Sequence, residues 1–582
     1  MDKYSFLNAA NTQFFADLYD QYVENPDSVE ASWRAFFQGF DFACENYGED
    51  FFEEEVVLAQ SQSREVPTPV VASAQVSLPI SDKVEKELRV LNLIKAYQQR
   101  AHLFAKISPI TQRPSYEPAL AIENFGLTQA DLNTVFDAAK ELQLQPSPLS
   151  LIIKKLEDTF TQSIGIEFDY IESFKVKEWI QNKLYAADFL KDFIKEEKVR
   201  ILQKLAESTA LENFFHNKYV GQKRFSLEGN EAVIPAIDAL IELAANEKDV
   251  KEVVIGMAHR GRLNMLINIL GKNLQDVFSE FDGKDYENPE FDGDVKYHLG
   301  LTSLRTTTKG KEVLLNLAPN PSHLETVASV LEGIARAKQD IHYTDKPSQV
   351  LPIVIHGDAA VAGQGIVYEV MQMERLKGYT THGTIHLVIN NQIGFTTNPS
   401  DSRSTTYCTD IAKGFQAPVL HVNSDDTEAV VRAFLFALDY RMTFGTDVFI
   451  DVIGYRKYGH NEGDEPRFTQ PSLYKLIGTH KNPTVIYTEK LVNQGVITPK
   501  EIEAYEENYR NHLDTELEAS RLKDLTIINP FMQNEWQGFD HIASQQDMLL
   551  RVDTSFSREK LDQLAALITC LLYTSPSPRD RT

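Results

Sequence analysis

At 582 residues the chain is long enough for several domains, because single hydrophobic cores rarely grow past roughly 250–300 residues. Its 42% hydrophobic and 24% charged content is that of a globular protein, and 84 acidic against 58 basic side chains leave a formal charge of −26. That balance excludes a dedicated nucleic-acid binder, which needs a basic surface to neutralise phosphate; excess acid serves solubility. The three cysteines, Cys44, Cys408 and Cys570, lie far apart, which rules out a CxxC redox pair, a thiolate metal site and a disulfide framework. No apolar run reaches the roughly 18–20 residues of a membrane helix. Met1 to Asn11 has neither a basic segment followed by an apolar stretch nor the Arg-rich character of a transit peptide. The expectation is a cytoplasmic protein with no membrane or nucleic-acid partner.

Residues 1–52 read as a helical arm. Phe14, Leu18 and Tyr22 fall on one helical stripe, Pro26 ends that helix, and Ser28 is placed to cap a second turn carrying Trp33, Phe36 and Phe37. So aromatic a face must dock, either on the protein's own body or on a partner. Residues 53–81, acidic and then rich in Gln, Ser, Val and Pro, read as a flexible linker. Residues 82–218 read as a helical scaffold, broken at Pro109, Pro114, Pro118, Pro146 and Pro148.

Residues 219–480 change character. Short apolar β-prone runs occur at Val253–Met257, Val313–Leu317, Val350–His356, Thr384–Asn390, Pro418–Val422 and Asp447–Gly454. Helical patterns separate several of them, including one marked by Val327, Leu331, Ile334 and Lys338, one over about Val361–Lys377, and one from Glu428 to Met442. Buried, non-alternating strands separated by helices predict an α/β domain, a doubly wound parallel sheet covered on both faces. Such sheets bind ligands beyond the carboxyl ends of their strands. Residues 481–569 return to helical and mixed patterning, and residues 570–582 read as an unrelated or disordered tail.

The polar segments sit where that rule puts them. Gly357-Asp358-Ala359 follows one strand, and Asn390-Asn391-Gln392-Ile393-Gly394-Phe395 follows the next. One βαβ unit thus brings a carboxylate and an amide oxygen to neighbouring strand ends. With a backbone carbonyl they suit magnesium, a hard ion that takes a few protein oxygens and fills its octahedron from phosphate and water. The bland alternative is that Asp358 caps the following helix and the Asn pair makes a turn. Four further polar loops raise the odds: Ala258 to Asn264, with His259, Arg260 and Arg262; Asp294 to Gly300, with His298; Asn320 to Glu325, opening a helix; and Gly459 to Glu465, with His460. Arginine forks suit carboxylate and phosphate, and helix-opening amides can face an anion. His382 and His386 have the spacing of a helical zinc pair, but on a strand four residues span over about 13 Å, so zinc is rejected there.

Together GDAAVAGQG, NNQIGFTTNP, MAHRGRLN, DVKYHLG, NPSHLE and YGHNEGDEP, with the N-terminal SFLNAANTQFF and SVEASWRAFF segments, closely resemble the first, decarboxylating component of the 2-oxoglutarate dehydrogenase complex, over about residues 4–569. The resemblance implies the thiamine-diphosphate-binding fold, preceded by the helical region and a flexible N-terminal arm. It implies thiamine diphosphate and Mg2+ as cofactors, with Asp358, Asn391 and the carbonyl of Ile393 as metal ligands. Arg260, Ser322, Leu324, Ala359 and Ala360 then line the cofactor and substrate pocket. His259, His298 and His460 recognise substrate carboxylates and handle protons, as imidazoles titrating near neutrality can, with arginine and histidine opposite the distal carboxylate. The implied reaction decarboxylates 2-oxoglutarate and passes a succinyl group to the lipoyl domain of dihydrolipoamide succinyltransferase, which forms the core of a complex that also contains dihydrolipoamide dehydrogenase. The full-length protein is expected to be a homodimer.

Two departures from the family pattern stand out. After Glu325 the chain reads TVASV, where Ala328 and Ser329 suggest a loop. Relatives also continue into a pyrimidine-binding domain carrying the glutamate that activates the cofactor, so the chain is expected to be the N-terminal two-thirds and inactive alone. The rival readings are a 2-oxoadipate dehydrogenase, which shares nearly all these motifs, and an incomplete fragment acting only as an interaction subunit that docks through Phe14, Leu18, Tyr22 and Trp33.

Overall fold

The computed structural model describes residues 21–29, 33–34, 37–38, 82–110, 119–186, 189–287, 293–527, 531–539 and 545–574. Phe14, Leu18, Phe36 and the 53–81 linker therefore lie outside the described residues, as do the side chain of Cys570 and residues 575–582. The chain divides into two units, Met1–Pro79 and Ile80–Thr582. In the first, Tyr22, Val29 and Phe37 are buried against one another, with Trp33 packed alongside; the Tyr22 and Phe37 rings are 5.3 Å apart. Ser28 faces back along the chain. Its hydroxyl donates to the carbonyls of Gln21 at 3.1 Å and Asn25 at 2.6 Å, closing the preceding helix, while the start of the turn it was expected to cap lies outside the described residues.

In the second unit the apolar runs form strands within about a residue of their expected limits. In chain order the sheet contains β1 (Ile164–Glu167), β2 (Glu252–Met257), β3 (Leu301–Thr306), β4 (Glu312–Leu317), β5 (Val350–Gly357), β6 (Ile385–Asn390), β7 (Val419–Asn423) and β8 (Val448–Ile453). Their spatial order is β1-β7-β8-β6-β5-β2-β4-β3. The six central strands are parallel. β1 and β3 close the edges antiparallel. These two strands escaped the sequence reading: β1 is four residues with a glycine inside the stretch read as helical scaffold, and β3 is the polar LTSLRT. Their pairing comes from the sheet they join, not from a pattern of their own.

The parallel sheet is covered on both faces because its side chains alternate between two cores. Helices α1 (Asp82–Arg100), α2 (Lys195–Lys218), α3 (Val233–Glu247), α4 (Thr326–His342), α5 (Asp358–Gly363), α6 (Gly365–Met373), α7 (Thr427–Phe444) and α8 (Pro499–Arg521) frame it. Val253, Ile255, Ile353, Ile355, Leu387 and Ile389 pack with α3 and α7. The intervening Val254, Val350 and Val354 pack with Ala328 and Leu331 of α4, and Val388 with Val367 and Met371 of α6. Ala328 and Ser329 are thus helical, not a loop; the Ser329 hydroxyl donates to the Thr326 carbonyl at 2.9 Å within the first turn. The helix expected over about Val361–Lys377 is two. Gln364, between Gly363 and Gly365, is extended with φ −98° and ψ 116° and breaks it, glycine being a poor helix former. Among the described residues no helix is long and apolar enough to cross a membrane.

The chain runs from β2 outward to β4 and then returns to β5 on the other side of β2, so the topology switches between β2 and β5, where such sheets open a crevice. Registers keep the strand ends level: Met257 lies beside Ile355, Gly357 beside Ile389, and Asn390 beside Ile453.

Lys338, on the stripe read as apolar, is buried on α4 and pairs with Glu252 at the start of β2 at 2.6 Å and with Glu535. Glu252 also accepts from Asn316 at 2.6 Å. Replacing the lysine leaves a buried carboxylate without its cation. Lys338→Met is therefore expected to destabilise the unit by about 3–5 kcal/mol, read from the urea midpoint; a shift below about 1 kcal/mol would contradict this.

Candidate functional site

A cavity of about 710 Å³ opens at the carboxyl ends of the central strands. Of the residues singled out in the sequence, His259, Arg260, Ser322, Leu324, Asp358, Ala359, Ala360, Asn391, Ile393 and His460 all line it. His298 stands beside the wall. Its ring stacks on His259 with centroids 5.0 Å apart, and its Nε2 lies 3.2 Å from the Ser322 hydroxyl. Asp294 holds the other ring nitrogen at 3.0 Å, which favours a proton on Nδ1 and leaves Nε2 to accept from Ser322.

Asp358 is the first residue of α5, where Gly357 takes the cap position, so the carboxylate is not a helix cap. It is buried, and among the described residues no cation pairs with it within 4 Å. Burial pushes its carboxyl up to about 7 against the pull of Arg403. The Asn391 amide lies between the Ile393 carbonyl at 2.7 Å and Arg260 Nε at 3.2 Å, and with its nitrogen toward Ile393 and its oxygen toward Arg260 both contacts are hydrogen bonds. A buried carboxylate, an amide oxygen and a backbone carbonyl on adjoining loops are the kind of oxygen donors a hard divalent ion takes. Gly394 lets this loop approach α5, since a Cβ there would stand 2.6 Å from the Ala359 methyl.

The arginines are scaffolding. Arg260 donates to the carbonyls of Ser226 at 2.8 Å and His460 at 3.0 Å, tying three loops together. Arg456, absent from the sequence reading, donates to the carbonyls of Phe395 at 2.9 Å and Tyr458 at 3.2 Å. Arg262 is fully buried and its guanidinium donates to the carbonyls of Leu299 at 2.7 Å and Ala318 at 2.6 Å, so it faces away from any ligand.

Two of the imidazoles, His259 and His460, are held below the ordinary histidine range, where the sequence led us to expect titration near neutrality. Burial lowers His259 to about 4, helped by His298 and Arg262. Burial likewise lowers His460 to about 4, helped by Arg260 and Arg456. His259 Nε2 is buried without a hydrogen-bond partner, free to meet a ligand atom.

Phe225, which the sequence reading passed over, is wedged among His259, Tyr297 and His460, with centroids 5.1, 5.0 and 5.5 Å away. Its left-handed backbone (φ 54°) is fixed by Glu462. That carboxylate accepts from the amides of Arg224 at 2.8 Å, Phe225 at 3.2 Å and Ser226 at 2.8 Å. Glu325, also missed, lines the cavity with φ 67° and heads a buried chain. Its carboxylate lies 2.6 Å from His356 Nδ1, His356 Nε2 lies 3.0 Å from His386 Nδ1, and His386 Nε2 lies 3.2 Å from Asp447 at the opposite end of the strands. A second chain backs the Asn loop: Asn390 donates to Asp451 at 2.9 Å, and Asp451 holds His421 at 2.8 Å. Burial opposes charge on His421, but Asp451 and Glu167 outweigh it and raise its pKa. The available signal was histidine or aspartate inside otherwise apolar strands.

Two outcomes are expected. Selectively labelled His259 and His460 should show no titration between pH 6 and 8 by NMR and protonate only below about pH 5; midpoints near 6.5 would contradict the burial argument. Glu462→Ala, which strands three amides, should lower stability by on the order of 3 kcal/mol and loosen Phe225, read from thermal unfolding and the Phe225 ring signals.

The family described as "Dehydrogenase E1 component" matches residues 203–526. The family described as "2-oxoglutarate dehydrogenase N-terminus" matches residues 4–43. Among curated relatives, the 2-oxoglutarate dehydrogenase E1 component of Azotobacter vinelandii is 40% identical over 96% of this chain and 59% of its own length. The protein of the same name from Haemophilus influenzae is 42% identical over 87% of this chain and 54% of its own. That of Rickettsia prowazekii is 39% identical over 94% and 57%. The chain thus spans somewhat more than half the length of these relatives. With the family match covering more than half of the chain, on the parallel sheet and the loops that build the cavity, the chain belongs to the dehydrogenase E1 component family.

Proposed function

We propose that the cavity binds thiamine diphosphate through a magnesium ion held by Asp358, Asn391 and the Ile393 carbonyl. The whole protein would then decarboxylate 2-oxoglutarate and pass a succinyl group to the lipoyl domain of dihydrolipoamide succinyltransferase. The observation that carries the metal reading is the convergence, at one wall of the cavity, of the buried Asp358 carboxylate with the Asn391 side chain and Ile393 at the end of the neighbouring strand. The printed names of the relatives support the substrate. Assembly with the succinyltransferase core and dihydrolipoamide dehydrogenase, and a homodimeric full-length protein, belong to the same reading.

When bound, the cofactor supplies the electron sink that decarboxylation of a 2-oxo acid requires. The chain supplies position and protons. Ser322, Leu324, Ala359 and Ala360 give a wall of small and apolar groups. Arg260 orients the His460 loop and the Ser226 segment through its contacts with their carbonyls. His259 Nε2, neutral and unpartnered, can donate to or accept from a substrate oxygen. His298, polarised by Asp294, can take a proton from the Ser322 hydroxyl.

Calorimetric titration of the chain with thiamine diphosphate tests the reading. Binding is expected only with magnesium present. Asp358→Ala should weaken it by more than the roughly 10–100-fold that loss of an outer-shell partner costs a metal site. Magnesium-independent binding, or binding unchanged by the substitution, would sink the assignment.

A further inference from the structure

We propose that His421 is a positioning residue for the proposed metal ligand Asn391: a charged imidazolium, buried behind the cavity, that holds the Asn391 loop in shape through Asp451 and Asn390. This rests on the magnesium and thiamine diphosphate reading above. The connection can be followed atom by atom. His421 on β7 lies with Nδ1 2.8 Å from Asp451 on β8 and with Nε2 3.2 Å from Glu167 on β1. Both partners are carboxylates, which only accept, so each ring nitrogen carries a proton and the ring a positive charge. The Tyr407 ring lies over it with centroids 3.7 Å apart, a face that attracts a cation. His102, at 3.3 Å, and Lys413, at 2.9 Å, share the other oxygen of Glu167. His356 on β5 and His386 on β6 differ: they meet ring to ring at 3.0 Å, which requires one nitrogen without a proton.

The other oxygen of Asp451 carries this geometry to the cavity. It accepts from the Asn390 amide nitrogen at 2.9 Å, which leaves the Asn390 amide oxygen to accept from the Gln392 backbone amide at 3.0 Å. That bond holds Gln392 in a left-handed backbone (φ 59°) between Asn391 and Ile393. The Gln392 side chain adds a further anchor, donating to the Gly454 carbonyl at 2.7 Å. Asp451 and His421 have no exposed surface. A carboxylate so buried stays an acceptor most readily beside a cation. Without the charge on His421, the Asn390 amide loses the acceptor that decides which way round it sits, and the turn at Gln392 loses its hold.

Two measurements on the 582-residue chain test this. By NMR of isotope-labelled histidine, both His421 ring nitrogens should carry protons at about pH 7.5, where an ordinary imidazole is mostly neutral; one bare nitrogen would overturn the proposal. Asn390→Ala cuts the connection and leaves the His421 ion pairs in place. Calorimetric titration with thiamine diphosphate at fixed magnesium should then show binding about 10- to 100-fold weaker, the usual cost of losing a group that holds a metal ligand in place. Raising magnesium should recover the affinity, because a displaced loop lowers metal occupancy. His421→Gln, which keeps a hydrogen-bonding side chain but not the charge, should show the same recoverable loss. If the unsubstituted chain binds with magnesium and either variant matches it, or stays weak at every magnesium concentration, the role of His421 falls and the cofactor reading survives. If the unsubstituted chain binds without magnesium, or not at all, the two fall together.

Discussion

Level strand ends are the constraint on which the site depends. In a parallel sheet every carboxyl end points the same way, and the registers of β2, β5, β6 and β8 bring Met257, Gly357, Asn390 and Ile453 to a common edge. Loops far apart in sequence, such as those carrying His259 and His460, 201 positions apart, are then neighbours without any loop having to reach. A one-residue slip of β6 would turn Asn390 and Asn391 to opposite faces. The apolar alternation of the two cores forbids that slip, so the same packing that stabilises the sheet also sets the spacing of Asp358 and Asn391.

Around that edge the protein separates charges that position from charges that remain available. Arg260, Arg262 and Arg456 engage backbone carbonyls, which ties loops to one another. Glu462 does the converse, gathering three amides under Phe225. Among the described residues Asp358, which accepts from its own and the Ala359 amide, has no cation within 4 Å and His259 Nε2 has no hydrogen-bond partner, and these are the groups a ligand can address. Burial acts on each by its charge type: it raises the carboxyl of Asp358 and lowers the imidazoles of His259 and His460, favouring the neutral form in every case.

Behind the wall, buried polar chains run through the sheet itself. Glu325, His356, His386 and Asp447 connect the cavity to the far ends of the strands, and His421 with Asp451 and Glu167 backs Asn390. Each partner removed would leave another polar group buried without a mate, so these chains fix β5, β6, β7 and β8 against one another more specifically than apolar contacts do. Glu167 lies on β1, so a strand from the otherwise helical part of the chain completes the charge balance around His421.

The six parallel strands, the helices between them and the polar loops beyond their ends were legible in the sequence, because each reflects a local pattern: apolar runs, 3.6-residue stripes, and His, Arg, Asn and Asp directly after a strand. Nearly every residue so marked lines the cavity. Tertiary structure alone decided what depends on neighbours distant in the chain. β1 and β3 became strands because the sheet offered an edge; Lys338 entered the core because Glu252 awaited it; Arg260 was committed to carbonyls of two other loops; His259 and His460 lost their charge to burial. Residue type and spacing are local quantities, whereas desolvation, hydrogen-bond partnership and edge pairing are set by the surroundings that only the folded chain creates.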